Sequence, residues 1–302
     1  MNKSPLLHDP AVVAGILATI AACFVLAAMD ALAKWLMYSL PTQQVVWARY
    51  FFHTLIVGVV FTLQSGPGFI RAKSPALQLL RAACLLGVTL CLYFAIRTIS
   101  LADATAILFF APVLVTLLAG AILHEKVGVP EWLAVGIGFL GVLFVVQPGF
   151  REIDVAMLLA LFGALCLAFY FVLTRVLKGR DSEQTTLFHS TVLGALGLSC
   201  LMPLWWQTPT LSQWGFLVLM GVLGAAGHFL LVKAFHLAQA PVLSPFLNAQ
   251  LVAAALYSML FFDDRLDSGF VIGAVLIVGA GLIVWAHKHA LAFRGRRRFR
   301  QS

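Results

Sequence analysis

Residues 95–146 read "AIRTISLADATAILFFAPVLVTLLAGAILHEKVGVPEWLAVGIGFLGVLFVV", and residues 231–285 read "LVKAFHLAQAPVLSPFLNAQLVAAALYSMLFFDDRLDSGFVIGAVLIVGAGLIVW". The second stretch echoes the first. Arg97 matches Lys233, and Leu101 and Ala102 match Leu237 and Ala238. After a three-residue slip, Glu125 and Lys126 match Asp264 and Arg265. The correspondence extends to the start of each half, where "LAKWL" ending at Leu36 resembles "LTRVL" ending at Leu177. A duplicated block is one structural unit used twice, so it constrains the fold before any single element is assigned.

Outward from this block the chain is apolar nearly throughout. Hydrophobic residues make up 62% and charged residues 11%. A water-soluble domain carries about 25% charged residues, so this chain cannot cover a water-facing surface and reads as a polytopic membrane protein. A hydrocarbon core of ~30 Å takes about 20 helical residues. Apolar runs of that size fall at 11–37, 44–64, 76–97, 102–124, 131–147, 154–177, 185–206, 212–235, 240–262 and 269–287. The breaks between them are short and rich in Pro, Gly and charge, as in "QSGPGFIRAKSP", "QPGFREID" and "KGRDSEQ". Consecutive helices are therefore antiparallel neighbours, and no soluble domain fits between them.

Basic residues set the orientation. With the N-terminus inside, fifteen Lys and Arg lie on the inner side, Arg81 among them, against Arg97, Arg151 and Arg265 outside. Both termini are expected in the cytoplasm. The formal charge of +8 falls to +3 without Arg294, Arg296, Arg297, Arg298 and Arg300. Such a tail reads as an anchor at anionic lipid, and no stacking or groove-reading motif accompanies it to suggest nucleic acid. Cys23, Cys84, Cys91, Cys166 and Cys200 all lie in apolar runs without metal spacing and read as small hydrophobes.

The expected fold is all-α, with ten transmembrane helices as two inverted five-helix repeats around a central cavity. Its parts are residues 1–148, residues 149–289 and a basic cytoplasmic tail, 290–302. Five spans per half is an odd number, so the second half is inverted. Inverted repeats of this kind place a substrate site between the halves of secondary transporters.

The stretch "AIRTISLADATAILFFAPVLVTLLAGAILHEK" resembles the signature of the EamA family of the drug/metabolite transporter superfamily. Pro112 stands at its proline and Glu125 at its terminal glutamate; the second copy departs, with Leu251 and Gln250 near the proline position and Asp264 for the glutamate. The resemblance implies transport of small metabolites across the bacterial cytoplasmic membrane. It is most similar to the family's amino-acid exporters, those for aromatic amino acids included.

The polar residues inside the spans are the candidate substrate contacts. Asp30 and Lys34 are four apart and share a helix face. They either neutralise each other or stand on a cavity wall, where they meet the ammonium and carboxylate of a zwitterion. Arg49 and His53 repeat the spacing on the next span, and Arg49 is alternatively an interfacial anchor or the partner of Asp30. Tyr93 and Tyr170 offer an apolar ring with a polar tip. His228 follows Gly221, Gly224 and Gly227, whose spacing points to close helix packing. Asn248 and Gln250 follow Pro245, which corresponds in place to Pro112. Breaks at matching places in two halves point to a transporter site, or are simple kinks. Trp35, Trp47, Trp205 and Trp206 read as interfacial.

The leading functional reading is a secondary transporter exporting amino acids, aromatic or neutral, or similar small metabolites by alternating access. Its alternative is an uptake carrier for a vitamin or nucleoside-like metabolite. A membrane-embedded lipid enzyme needs a cluster of ligating or nucleophilic residues, and the eight histidines are scattered. A passive channel needs a polar stripe along a helix. No P-loop is present, no cofactor is expected, and the partners are a small-molecule substrate and membrane lipid.

Overall fold

Hydrophobic runs with few breaks fold as long helices because, away from water, a helix satisfies its own backbone. The computed structural model describes residues 10–122, 128–147, 154–177, 179–238 and 240–298. Glu125, Lys126, the 148/149 boundary and the last four tail residues lie outside them. Among the described residues the chain is all-helical. In order come α1 (Pro10–Leu36), α2 (Thr42–Ser65), α3 (Pro75–Ile96), α4 (Leu101–Leu108), α5 (Ala111–Ile122) and α6 (Val129–Val146). The series continues with α7 (Val155–Leu177), α8 (Glu183–Leu201), α9 (Leu211–Leu237), α10 (Ala240–Leu243), α11 (Ala249–Phe262) and α12 (Ser268–Arg298).

Eight helical segments are long and apolar enough to cross a membrane, and two shorter apolar ones, Trp132–Val146 and Ser268–Ile283, accompany them. Ten spans were expected. The backbone of α12 runs on as helix to Arg298, where a separate tail from residue 290 was expected. Two spans are broken. The run through Pro112 ends at Leu108 and restarts at Ala111, and a 3₁₀ stretch, Ser244–Asn248, separates α10 from α11 at Pro245. Ser100 and Ser182 cap α4 and α8, and Thr210 with Gln213 forms a capping box on α9.

The packing pairs helices from the two ends of the chain. α1 packs on α9, α3 on α7, α2 on α8 and α6 on α12. The glycine seam of α9 lets α1 and α2 approach it closely. A Cβ at Gly221 would run into Phe52, and one at Gly224 would stand 3.0 Å from His53 Nδ1 and 3.1 Å from Met29 Sδ. One at Gly227 would stand 2.7 Å from Leu26. Small residues let backbones approach where lipid supplies no hydrophobic drive for helix association.

Contacts tie helices together at both faces of the bundle. At the face holding the α1–α2 turn, Gln44 and Gln207 exchange two hydrogen bonds of 2.8 and 3.0 Å. Trp47, expected at the interface, is buried there; its indole donates to Ser199 Oγ at 2.8 Å and packs against Trp206. At the opposite face, where α3 and α8 begin, Phe61, Phe69, Phe188 and Phe229 pack edge to face. Asp181 of the α7–α8 turn accepts from the Lys73 backbone at 2.6 Å and from Gln78 at 3.0 Å.

Candidate functional site

Three consecutive helices bring Asp30, Arg49 and Tyr93 together. Asp30 lies six residues before the end of α1 and Arg49 seven residues into α2, so an antiparallel turn sets them at similar depth. Arg49 Nη1 is 3.4 Å from Asp30 Oδ1 and donates to Tyr93 Oη at 3.0 Å. Tyr93 Oη donates to the same carboxylate oxygen at 3.2 Å. The guanidinium also stands over the Tyr93 ring, 5.3 Å from its centroid. Asp30 and Tyr93 are buried and Arg49 nearly so, which rules out the interfacial anchor as its role.

Lys34 does not complete that group. It reaches Asp264 at 3.6 Å and donates to the Ile99 carbonyl at 3.1 Å. Asp264 in turn accepts from Ser258 Oγ at 2.5 Å, and Ser258 accepts from the Ala102 N–H. The self-neutralising Asp30–Lys34 pair is thus corrected. Each charge has its partner elsewhere, Asp30 on α2 and Lys34 in the turn after α11.

One turn deeper from Arg49, a void of about 10 Å³ is lined by Met29, Arg49, Tyr50, His53, Leu85, Thr191, Gly224 and His228. That is room for about one water. Tyr50 donates to the Leu85 carbonyl at 3.0 Å and lies 2.8 Å from Thr89 Oγ1. The His53 and His228 rings meet at 5.3 Å in an edge-to-face arrangement. His53 is 3% exposed and its Nε2 has no hydrogen-bond partner. A buried polar atom without a partner costs about 1–3 kcal/mol, so this position invites a ligand or a water.

Tyr170 lies elsewhere, outside the lining of the void. It accepts from Arg81 Nη2 at 2.6 Å, with the guanidinium 4.3 Å from its ring centroid. Arg81, counted from the sequence as an inner-surface charge, is only 4% exposed. The signal that marks it is a run of polar residues on one face of α3: Gln78, Arg81, Thr89 and Tyr93 are all buried. The polar groups of that helix form a stripe. Asn248 and Gln250 are not brought to the centre. Asn248 donates to its own Pro245 carbonyl, and this stretch packs on α1, where Cys23 Sγ lies 3.5 Å from the Leu247 carbonyl. Among the described residues no group of three His, Cys, Asp or Glu side chains is placed to hold a metal.

A polar core of paired charges inside a bundle of apolar, membrane-length helices is the arrangement of a membrane solute carrier. The chain belongs to the EamA-like transporter family, which matches it over residues 13–147 and again over 154–286. It is similar to an S-adenosylmethionine uptake transporter of Rickettsia bellii, 27% identical over 88% of this chain and 91% of that one. A pseudopaline exporter, CntI, of Pseudomonas aeruginosa is 28% identical over 88% of this chain and 94% of that one. A riboflavin transporter of Vibrio cholerae is 26% identical over 82% of each. A crystal structure superposes with a TM-score of 0.63 over 92% of this chain and 99% of that one, at 18% identity. It attests the fold alone.

Proposed function

We propose that this carrier moves a small polar metabolite bearing an amino-acid moiety, by rocking two inverted five-helix halves about the void between Arg49, His53 and His228. The observation that carries the reading is the unpartnered, buried Nε2 of His53, a residue that lines the void, beside charges of both signs. Apolar or singly charged solutes have no use for Asp30 and Arg49 held together. The exchange symmetry of the packing supports the two-halves reading: α1 on α9 answers α7 on α3, while α2–α8 and α6–α12 answer themselves. On that reading α4 with α5, and α10 with α11, are the fourth and ninth of ten spans, and both termini face the cytoplasm.

A void with room for about one water has to widen to admit a solute. A rocking carrier delivers its substrate along whichever gradient drives it, so the site defines the solute and not the direction. Export, the leading expectation from sequence, and uptake both have namesakes among the relatives. The test is counterflow with purified protein in liposomes, using labelled L-amino acids, S-adenosylmethionine and riboflavin loaded on either side. Accelerated exchange of an amino-acid-bearing solute is the expected result, and exchange of riboflavin alone contradicts it.

A further inference from the structure

Arg81 is a buried cation whose partners are all neutral. Its Nε donates to Thr174 Oγ1 at 2.6 Å, Nη1 to the Thr186 carbonyl at 2.9 Å and to Ser190 Oγ at 2.8 Å, and Nη2 to Tyr170 Oη at 2.6 Å. A guanidinium has five N–H donors, so one Nη2–H is left without an acceptor among the described residues. No described carboxylate pairs with Arg81, whereas Asp30 is taken by Arg49 and Asp264 by Lys34. A charge inside a span is costly, and it ordinarily has an opposite charge or a wet cavity beside it. Here the cavity is beside it. Leu85, one turn along α3 from Arg81, lines the void, and so does Thr191, next to Ser190 of the cage. His228, across the void, lies within electrostatic reach of both Arg49 and Arg81.

Arg49 lines the void, and Asp30 and Arg81 stand behind its lining; the three carry a net charge of +1 before any histidine is protonated. We infer that Arg81 is the carboxylate-receiving group of the substrate site, held by a neutral cage on α7 and α8 until a substrate carboxylate replaces it. The Asp30–Arg49 pair stays matched beside it. The cage spans α3 of one half and α7 and α8 of the other, so a carboxylate drawing Arg81 into the void also loosens a tie between the halves. Binding is thereby coupled to the rocking motion. Arg49 is not the carboxylate receiver, because its charge is already matched. This inference rests on the amino-acid-moiety reading above and adds the residue that recognises the acid.

The experiment is counterflow with the full chain in liposomes, comparing each labelled L-amino acid with its amide, S-adenosylmethionine with its decarboxylated form, and riboflavin as a solute without a carboxylate. The parent is expected to prefer the acid at least ~10-fold, as a hydrogen bond to a charged group implies. In Arg81→Gln the ratio of acid to amide exchange should fall to about one, whatever the absolute rates. Tyr170→Phe loosens the cage and should strengthen the acid preference; an unchanged preference with a lower protein amount would make the cage merely structural. Arg81→Lys keeps the charge if the glutamine variant fails to fold, and should retain part of the preference. Equal exchange of acid and amide by the parent, or an acid preference that survives in Arg81→Gln, overturns the inference and leaves transport intact. Exchange of riboflavin alone overturns it too. Exchange of no solute contradicts the carrier reading itself, and this inference falls with it.

Discussion

Asp30 Oδ1 lies 3.4 Å from Arg49 Nη1, with the Tyr93 hydroxyl bonded to both. This three-helix knot is the centre of the site. Asp30 and Lys34 share a helix face, yet their charges are matched by α2 and by the turn after α11 respectively.

Removing one member of the knot leaves an unmatched buried charge. Arg49→Met and Asp30→Asn should each lower stability by about 3–5 kcal/mol, while the double variant should recover most of it. Protein amount and thermal unfolding in detergent measure this. A double variant no more stable than the singles would show that the two charges do not act as a pair.

Lys34 and Asp264 hold the α1–α2 face together through Ser258 and Ala102. Lys34→Met or Asp264→Asn should each cost about 1.5–3 kcal/mol, and the two together less than their sum. A strictly additive double-mutant cycle would break the proposed link.

The α9 glycines make a graded test of close packing. Gly221→Ala drives a methyl into Phe52 on α2, and Gly224→Ala meets His53 and Met29. Each should destabilise by about 1–3 kcal/mol. Gly136 and Gly279 have nothing within 4 Å of an added Cβ, so alanine there should be neutral or stabilising by up to about 1 kcal/mol. Equal losses at all four positions would contradict the seam.

At the opposite face, Asp181 ties the α7–α8 turn to the start of α3. Partial desolvation pushes its carboxyl up, and donors from the Lys73 backbone, Gln78 and the Ser74 backbone outweigh that, leaving it below its ordinary value. A carboxyl lowered in the folded state stabilises fully above its unfolded value, about 3.9. That contribution is lost as pH falls through the folded value. Thermal unfolding of the parent between pH 7 and 3 should show this loss, and Asp181→Asn should lack it. Superimposable pH profiles would remove Asp181 from the tie.

The sequence discloses the membrane class, the helical content and the family because each is spread over many residues. Asp30 and His53 stand out as buried polar groups because everything around them is apolar. Their partners do not stand out. Lys34 finds Asp264, 230 positions away, and nothing within α1 signals which helix lies opposite. Arg81 is hidden for a different reason. It lies six residues into its helix, roughly 9 Å at 1.5 Å per residue, and so resembles one more charge at the membrane surface. Its stripe with Gln78, Thr89 and Tyr93 is the legible trace. Asn248 stands out through its neighbour Pro245, and its amide goes to that proline's own carbonyl rather than to the centre.

The central claim is that Asp30 and Arg49 carry an amino-acid-bearing solute across the membrane, beyond stabilising the bundle. Counterflow of labelled L-amino acids and S-adenosylmethionine in liposomes, with the parent and the folded Asp30→Asn/Arg49→Met double variant side by side, measures this most directly. Exchange by the parent that falls at least ~10-fold in the double variant, at equal protein amount, is the expected result. A double variant exchanging the same solutes at the parent's rate would contradict it and reduce the pair to structure.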